Sequence, residues 1–236
     1  MQLFFNAELT KSTTSFEFDA LESKHIIKVL RRKTGDQLQI TNGKGDFFEA
    51  VITNDHLKKC TVSIVKVTRT IPRKYWLHMA VAPTKTNDRF EWFLEKATEI
   101  GVNEITPIIC ERSERKTVKT ERLKKVVQAA MKQSFQSYLP KVNEPISLKE
   151  FLELPKEGLL FVAHCEEDQE KYELKRRVAP DKPVTILIGP EGDFSSKEIK
   201  QASTKGFLSI SMGRNRLRTE TAGIVACATV AMINNG

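Results

Sequence analysis

An α/β protein, with a mostly parallel sheet carrying helices on its faces behind a small β-rich module, is the fold class predicted for these 236 residues. Three observations predict it. Beyond residue 73, five short apolar runs alternate with segments of helical period, which is how strand–helix–strand units read in sequence. Before residue 72 the apolar runs are short, β-branched and separated by turn residues. Hydrophobic residues make up 40% of the chain, with only 11 Gly and 9 Pro, a composition with enough apolar side chain for real cores and far from collagenous or disordered chains. The change of pattern falls at Ile71-Pro72-Arg73, so one domain is expected over 1–72 and a second over 73–236.

In the first module, residues 38–41 and 47–52 flank Asn42-Gly43-Lys44-Gly45-Asp46, a hairpin signal because Asn and Gly tolerate positive φ. Residues 61–67 alternate at period two and form another strand. Between residues 19 and 32, Leu21, Ile26, Ile27 and Leu30 suggest a short helix that carries His25 and a basic cluster. In the second module the strands are 76–82, 105–109, 159–163, 184–188 and 207–212. A helix over 88–100 places Phe90, Phe93, Leu94, Ala97 and Ile100 on one face and opens with an Asp88…Glu91 capping-box spacing. A helix over 121–135 turns Leu123, Val126, Val127 and Ala130 inward. Ser195…Glu198 is a second capping box, before Ile199. The last helix, from 219 to about 234, is small or apolar nearly all round, so it is buried in the core or against a second subunit.

Charge and cysteine usage narrow the function classes. Lys and Arg outnumber Asp and Glu by 38 to 30, a net charge of +8, which suits either a polyanionic partner or a solvated surface. Distribution favours the partner. Residues 111–132 hold Arg112, Arg115, Lys116, Lys119, Arg122, Lys124, Lys125 and Lys132 against three acids; Lys28, Arg31, Arg32 and Lys33 form a second cluster, and Arg214, Arg216 and Arg218 a third. Cys60, Cys110, Cys165 and Cys227 have no paired spacing, which argues against a zinc site or a disulfide framework and fits a reducing compartment. No metal is expected. His164 and Cys165 follow an apolar run and belong at a strand end. The longest apolar, uncharged stretch, 222–233, is short of the roughly 20 residues of a membrane span. The first ten residues lack the basic start and apolar core of a signal peptide. A cytoplasmic protein without membrane contact is expected.

Two segments can carry chemistry. Ile188-Gly189-Pro190-Glu191-Gly192-Asp193 runs from a buried-looking strand toward a capped helix. Such a loop is either a tight connection or a ligand loop, since parallel sheets bind ligands beyond the carboxyl ends of their strands. It is neither GxGxxG nor GxxxxGK[ST], so dinucleotide and nucleoside-triphosphate readings lose their main support. Met212-Gly213-Arg214-Asn215-Arg216-Leu217-Arg218-Thr219-Glu220 also links a strand to a helix. Three arginines and a glutamate packed between buried elements are costly unless paired or aimed at a ligand. Together the two loops describe a composite pocket.

GPEGDFSSKEI followed by SMGRNRLRTETA resembles the carboxy-terminal signature of the SPOUT methyltransferases, in particular those that methylate N3 of a uridine in 16S rRNA. Further matches are His25…Val29-Leu30-Arg31, Lys85…Glu91, residues 95–102, Gln133-Ser134 and Pro140, so the likeness spans both modules. The resemblance implies a PUA-like RNA-binding β-barrel over 1–72 and a trefoil-knotted parallel-sheet domain over 73–236. It also implies a homodimer, S-adenosyl-L-methionine as cofactor, and the small ribosomal subunit as partner. Ile188, Gly189, Pro190, Glu191, Gly192, Met212, Gly213, Leu217 and Thr219 would then frame the cofactor. Arg31, Arg32, Lys85, Arg112, Arg115 and Lys116 would meet rRNA phosphates. Two departures stand out: Asp193 occupies the place of a second glycine, and the 213–218 loop carries one extra residue.

Uracil N3–H must lose its proton as a methyl group arrives, leaving charge on two carbonyl oxygens. Catalysis therefore needs positioning plus cationic stabilisation. Arg216 or Arg218 is suited to the charge, and Glu191 or Glu220 either accepts the proton or holds an arginine in place. Competing readings are methylation of another RNA position, and a binding-only ribosome-assembly factor. A nicotinamide-dependent enzyme is the weakest.

Overall fold

The computed structural model describes residues 2–166 and 170–235. Its contacts divide the chain into two compact units: Met1–Pro72 with Met131–Leu139, and Arg73–Ala130 with Pro140–Gly236.

The first unit is a five-stranded sheet of β1 (Leu3–Phe5), β2 (Ser15–Glu17), β3 (Gln37–Thr41), β4 (Asp46–Asn54) and β5 (Thr61–Arg69), ordered β1-β3-β4-β5-β2. Only β1–β3 is parallel among its pairings. Burial alternates along β4, so Phe48, Ala50 and Ile52 enter a core with Phe4, Phe18, Ile26, Leu38, Ile40 and Val62. The β3–β4 turn is closed by Asn42, whose Oδ1 accepts the Lys44 N–H at 2.9 Å, and by positive φ at Gly43 and Gly45. Residues 131–139 pack here because Phe135 stacks on Phe47 at 5.8 Å, and Leu139 N–H donates to Gly43 O at 2.9 Å. The helix expected over 19–32 is shorter and differently turned. α1 (Ala20–Lys24), capped by Asp19, runs into one wide π turn over His25–Val29. Ile26 is buried in the sheet core with Ile27 and Leu30 packed against it, as expected, whereas Leu21 is exposed.

In the second unit a sheet orders its strands β11-β13-β10-β12-β6-β7-β8. These are β6 (Leu77–Val81), β7 (Glu104–Ile109), β8 (Lys141–Val142), β10 (Leu159–Ala163), β11 (Tyr172–Glu173), β12 (Val184–Ile188) and β13 (Leu208–Ser211); β9 (Ile146–Ser147) pairs with β7 beside this path. Each of these pairings is parallel. The central strand β12 is buried throughout, which is why such strands read as unbroken apolar runs. The helices are α2 (Asn87–Ile100), α3 (Thr120–Gln133, in this unit as far as Ala130), α4 (Leu148–Glu153), α5 (Ser196–Thr204) and α6 (Thr219–Asn235). Leu148 and Phe151 of α4 and Ile199 and Ala202 of α5 pack with Ala80, Val162 and Leu187 of the sheet. α6 packs on α2 so closely that a Cβ at Gly223 would lie 2.6 Å from the Phe93 ring.

The Ser195–Glu198 capping box forms as expected, with both reciprocal bonds. The Asp88–Glu91 box does not: Thr86 is the N-cap of α2, and its side chain makes no cap bond. Among the described residues no helix is long and apolar enough to cross a membrane.

Candidate functional site

Strand register builds the site. Ala163 of β10 is level with Ile188 of β12 and with Ile210 of β13, and Ile188 is level with Val81 of β6. Four neighbouring strands therefore end together, and the segments that follow them share one rim of the sheet. On that rim Gly189 and Pro190 are buried and Glu191 half-buried.

Backbone and side-chain bonds tie these segments to one another. Thr219, buried at the start of α6, donates from Oγ1 to Gly189 O at 3.0 Å and joins the two loops expected to act together. Glu191 Oε1 accepts the Lys85 N–H at 2.9 Å, which brings the segment after β6 to the Gly-Pro-Glu-Gly loop. Arg112 donates to Gly192 O at 3.1 Å and to Phe194 O at 3.4 Å. Glu198 Oε1 accepts the Glu111 N–H at 2.8 Å, fixing the segment after β7 against α5. Asp193 takes φ +62°, the left-handed conformation that favours glycine. Its carboxylate offsets this by accepting the Cys165 and Phe194 N–H groups, each at 2.8 Å. A conformation that favours glycine is thus held at Asp193 by two hydrogen bonds.

Buried polar atoms without partners concentrate here. Among the described residues, Glu191 Oε2, Glu220 Oε2 and both ring nitrogens of His164 have no hydrogen-bond partner. Buried polar groups are nearly always paired, so such a cluster marks a place where a ligand completes the bonding. Burial, assisted by Lys171, holds the His164 imidazole below its ordinary value, so near neutrality it offers one donor and one acceptor. Glu220, 7% exposed, places Oε1 4.0 Å from Arg89 Nε. Beside it opens a cavity of about 670 Å3, with Trp92, Arg216, Leu217 and Arg218 in its wall.

The expectation that three arginines are packed between buried elements is corrected. Arg214, Arg216 and Arg218 are exposed, and only Glu220 of that group is buried. The loop stands out from the sheet rim, so the guanidinium groups keep their hydration. Glu220 meets Arg89 of α2, in place of its sequence neighbours. Met212 and Leu217 are half-buried, and Gly213 takes φ +131°. Of the residues expected to contact phosphates, Lys85 bridges to Glu114 at 2.9 Å and Arg112 braces Gly192. Arg115 donates to Thr117 O at 3.0 Å, and Lys116 is exposed. Arg31, at φ +56°, and Arg32 are exposed in the first unit, outside this site. Sequence reasoning missed Trp92, Arg89, His164 and the structural part of Asp193. The available signal for Trp92 was a tryptophan set off the Phe90, Phe93, Leu94, Ala97 face of α2.

A parallel α/β unit whose glycine-bearing loops converge at one sheet rim belongs to the class that binds ligands beyond the carboxyl ends of its strands. The chain belongs to the RNA methyltransferase domain family, whose model matches residues 72–231. Residues 19–65 match the PUA domain of RNA methyltransferases. A relative from Rickettsia conorii, ribosomal RNA small subunit methyltransferase E, is 29% identical over 236 residues, covering 99% of this chain and 96% of its own. A crystal structure from Porphyromonas gingivalis, described as a "probable rRNA-methyltransferase", superposes with a TM-score of 0.92 at 37% identity, covering 100% of this chain and 99% of that one. A structure from Legionella pneumophila described as a "putative methyltransferase", with the bound cofactor SAM, gives a TM-score of 0.88 at 29% identity, covering 98% of this chain and 97% of that one.

Proposed function

We propose that this protein transfers a methyl group from S-adenosyl-L-methionine to N3 of a uridine in 16S rRNA of the small ribosomal subunit. One observation carries the reading: two loops joined by the Thr219–Gly189 bond present carboxylate oxygens of Glu191 and Glu220 that have no partner among the described residues, on a chain of an RNA methyltransferase family. The residues fit the cofactor. Gly189 lets the loop backbone pass close to the following turn, since a Cβ there would press on the Phe194 ring at 3.0 Å, and this holds the Gly-Pro-Glu-Gly main chain at the rim where a ligand would meet it. Unpaired carboxylate oxygens suit a cation such as a sulfonium.

When bound, the cofactor supplies an already activated methyl group. Ile188, Gly189, Pro190, Glu191, Gly192, Met212, Gly213, Leu217 and Thr219 would hold it. Glu220 accepts the N3 proton at Oε2 while Oε1 stays beside Arg89. Arg216 and Arg218 stabilise the charge that develops on the uracil carbonyl oxygens. Residues 1–72, with Arg31 and Arg32, dock RNA, and residues 73–236 carry the chemistry. In this reading the second unit is trefoil-knotted, although knots are rare in folds. The protein acts in the cytoplasm as a homodimer.

Calorimetric titration with S-adenosyl-L-methionine, followed by methylation of small subunits from a strain lacking this protein and mapping of the product, tests the proposal. Binding and a single N3-methyluridine are expected. Absence of cofactor binding, or a methyl group at another atom, overturns it.

A further inference from the structure

Resting on the function just proposed, and deepening it, we propose that the cavity beside α2 receives one unstacked pyrimidine nucleotide of the RNA. The base lies on the indole of Trp92, and its Watson–Crick edge is read by Glu220 between arginines, which selects uracil over cytosine.

Three observations meet in this cavity of about 670 Å3, a size within the usual range of small-molecule sites. First, Trp92 is 46% exposed and lines the cavity, whereas Phe90 and Phe93 of the same helix are buried. Lone exposed apolar residues are common, so exposure alone decides nothing; the surroundings do. Second, Arg89, Arg216 and Arg218 line the same space, and an indole among guanidinium groups is the pairing that holds a base by stacking and its phosphate by charge. Third, Glu220 lines it too, with Oε2 buried and without a partner among the described residues. A buried carboxylate oxygen left without a donor is costly, and a ligand's N–H can supply one.

The edge chemistry then decides which base fits. Uracil presents acceptor, donor, acceptor at O4, N3–H and O2. A carboxylate flanked by guanidinium groups offers the complement. Cytosine carries a lone pair at N3 and would set it against the Glu220 carboxylate. The base has to leave its stack to enter such a cavity, as it does for other enzymes that act on a base. The Thr219–Gly189 bond keeps this cavity next to the loop proposed for the cofactor.

The test uses the full chain and separates this inference from the reading beneath it. The chain has two tryptophans, so Trp76→Phe leaves Trp92 as the reporter. Its fluorescence, with S-adenosylhomocysteine present, is titrated with a uridine heptamer and a cytidine heptamer. In parallel, Trp92→Phe and Trp92→Leu are assayed on unmethylated small subunits, with cofactor affinity measured by calorimetry. Stronger quenching by uridine is expected, together with a loss in kcat/KM of about tenfold or more for Trp92→Leu. Trp92→Phe should recover most of the loss, with cofactor affinity unchanged in both variants. Methyl transfer by Trp92→Leu at the wild-type rate, or quenching that is absent or equal for the two heptamers, overturns the base pocket and leaves the methyltransferase standing. A wild-type protein that neither binds the cofactor nor transfers a methyl group overturns both.

Discussion

At the scale of single residues, the site depends on side chains that hold backbone in place as much as on those facing a ligand. Asp193 is the clearest case. An L-residue in the left-handed region costs on the order of 1–2 kcal/mol, and each of its two hydrogen bonds returns about 1 kcal/mol. Asp193→Ala keeps the strained φ and loses both bonds, so a destabilisation of about 2 kcal/mol is expected in urea unfolding. Asp193→Gly loses the same bonds but releases the strain and should be close to neutral. Equal losses in both variants would remove the backbone argument. Arg218 makes the complementary prediction. It is exposed and lines the cavity, so Arg218→Ala should leave cofactor affinity within a few-fold. Single-turnover methyl transfer should fall by about a hundredfold, the usual loss when one group stabilising a developing anion is removed. Unchanged turnover would take Arg218 out of the mechanism.

Elements show how far local pattern reaches. The strands at 159–163 and 184–188 have the limits expected for them, because a strand buried on both faces is a continuous apolar run with sharp ends. β8, β9 and β11, two residues each, depend on a neighbouring strand for their definition and carry no periodicity of their own. α4 is too short for a helical period, yet its Ser147…Glu150 capping box was open to reading. Both loops of the site were legible from their glycines and charges. Their partners were not: Glu220 meets Arg89, and Asp193 meets Cys165, only through long-range packing. His78 on β6 shows an element-level consequence. Its Nε2 lies 2.7 Å from Thr106 Oγ1 of β7, and the ring meets Phe151 of α4 edge-on. Burial pulls its pKa from 6.5 down to about 4, with Glu104 opposing and Lys141 and Lys156 assisting. The folded state therefore binds fewer protons than the unfolded one between those values. Stability is full above pH 6.5 and declines toward pH 4, by up to about 3 kcal/mol from this group. His78→Asn should flatten that part of the curve in urea unfolding at pH 7 and pH 4.5. An identical decline in the variant would assign the loss to other groups.

For the molecule as a whole, the +8 charge acts through where it is spent. Two of the cations expected to meet phosphate are engaged by the protein itself at its surface, Arg112 with Gly192 O and Lys85 with Glu114. Arg31, Arg32 and Lys116 are exposed. Cations that contact phosphate release condensed counterions on binding, and each contact with single-stranded RNA contributes about 0.7 to the slope of log affinity against log salt. Replacing Arg31, Arg32 and Lys116 together by Ala should lower that slope by about 2 and weaken RNA binding most at low salt. Cofactor affinity should not change, since none of the three lies among the residues proposed to hold it. Arg112→Ala should behave in the opposite way. It frees the Gly192 and Phe194 carbonyls, weakens cofactor binding, and leaves the RNA salt slope nearly intact. Filter binding of small-subunit RNA across a salt series, beside calorimetry with the cofactor, separates the two outcomes. A slope lowered by Arg112→Ala and untouched by the triple variant would reverse the assignment of which positive charges face RNA and which brace the transfer site.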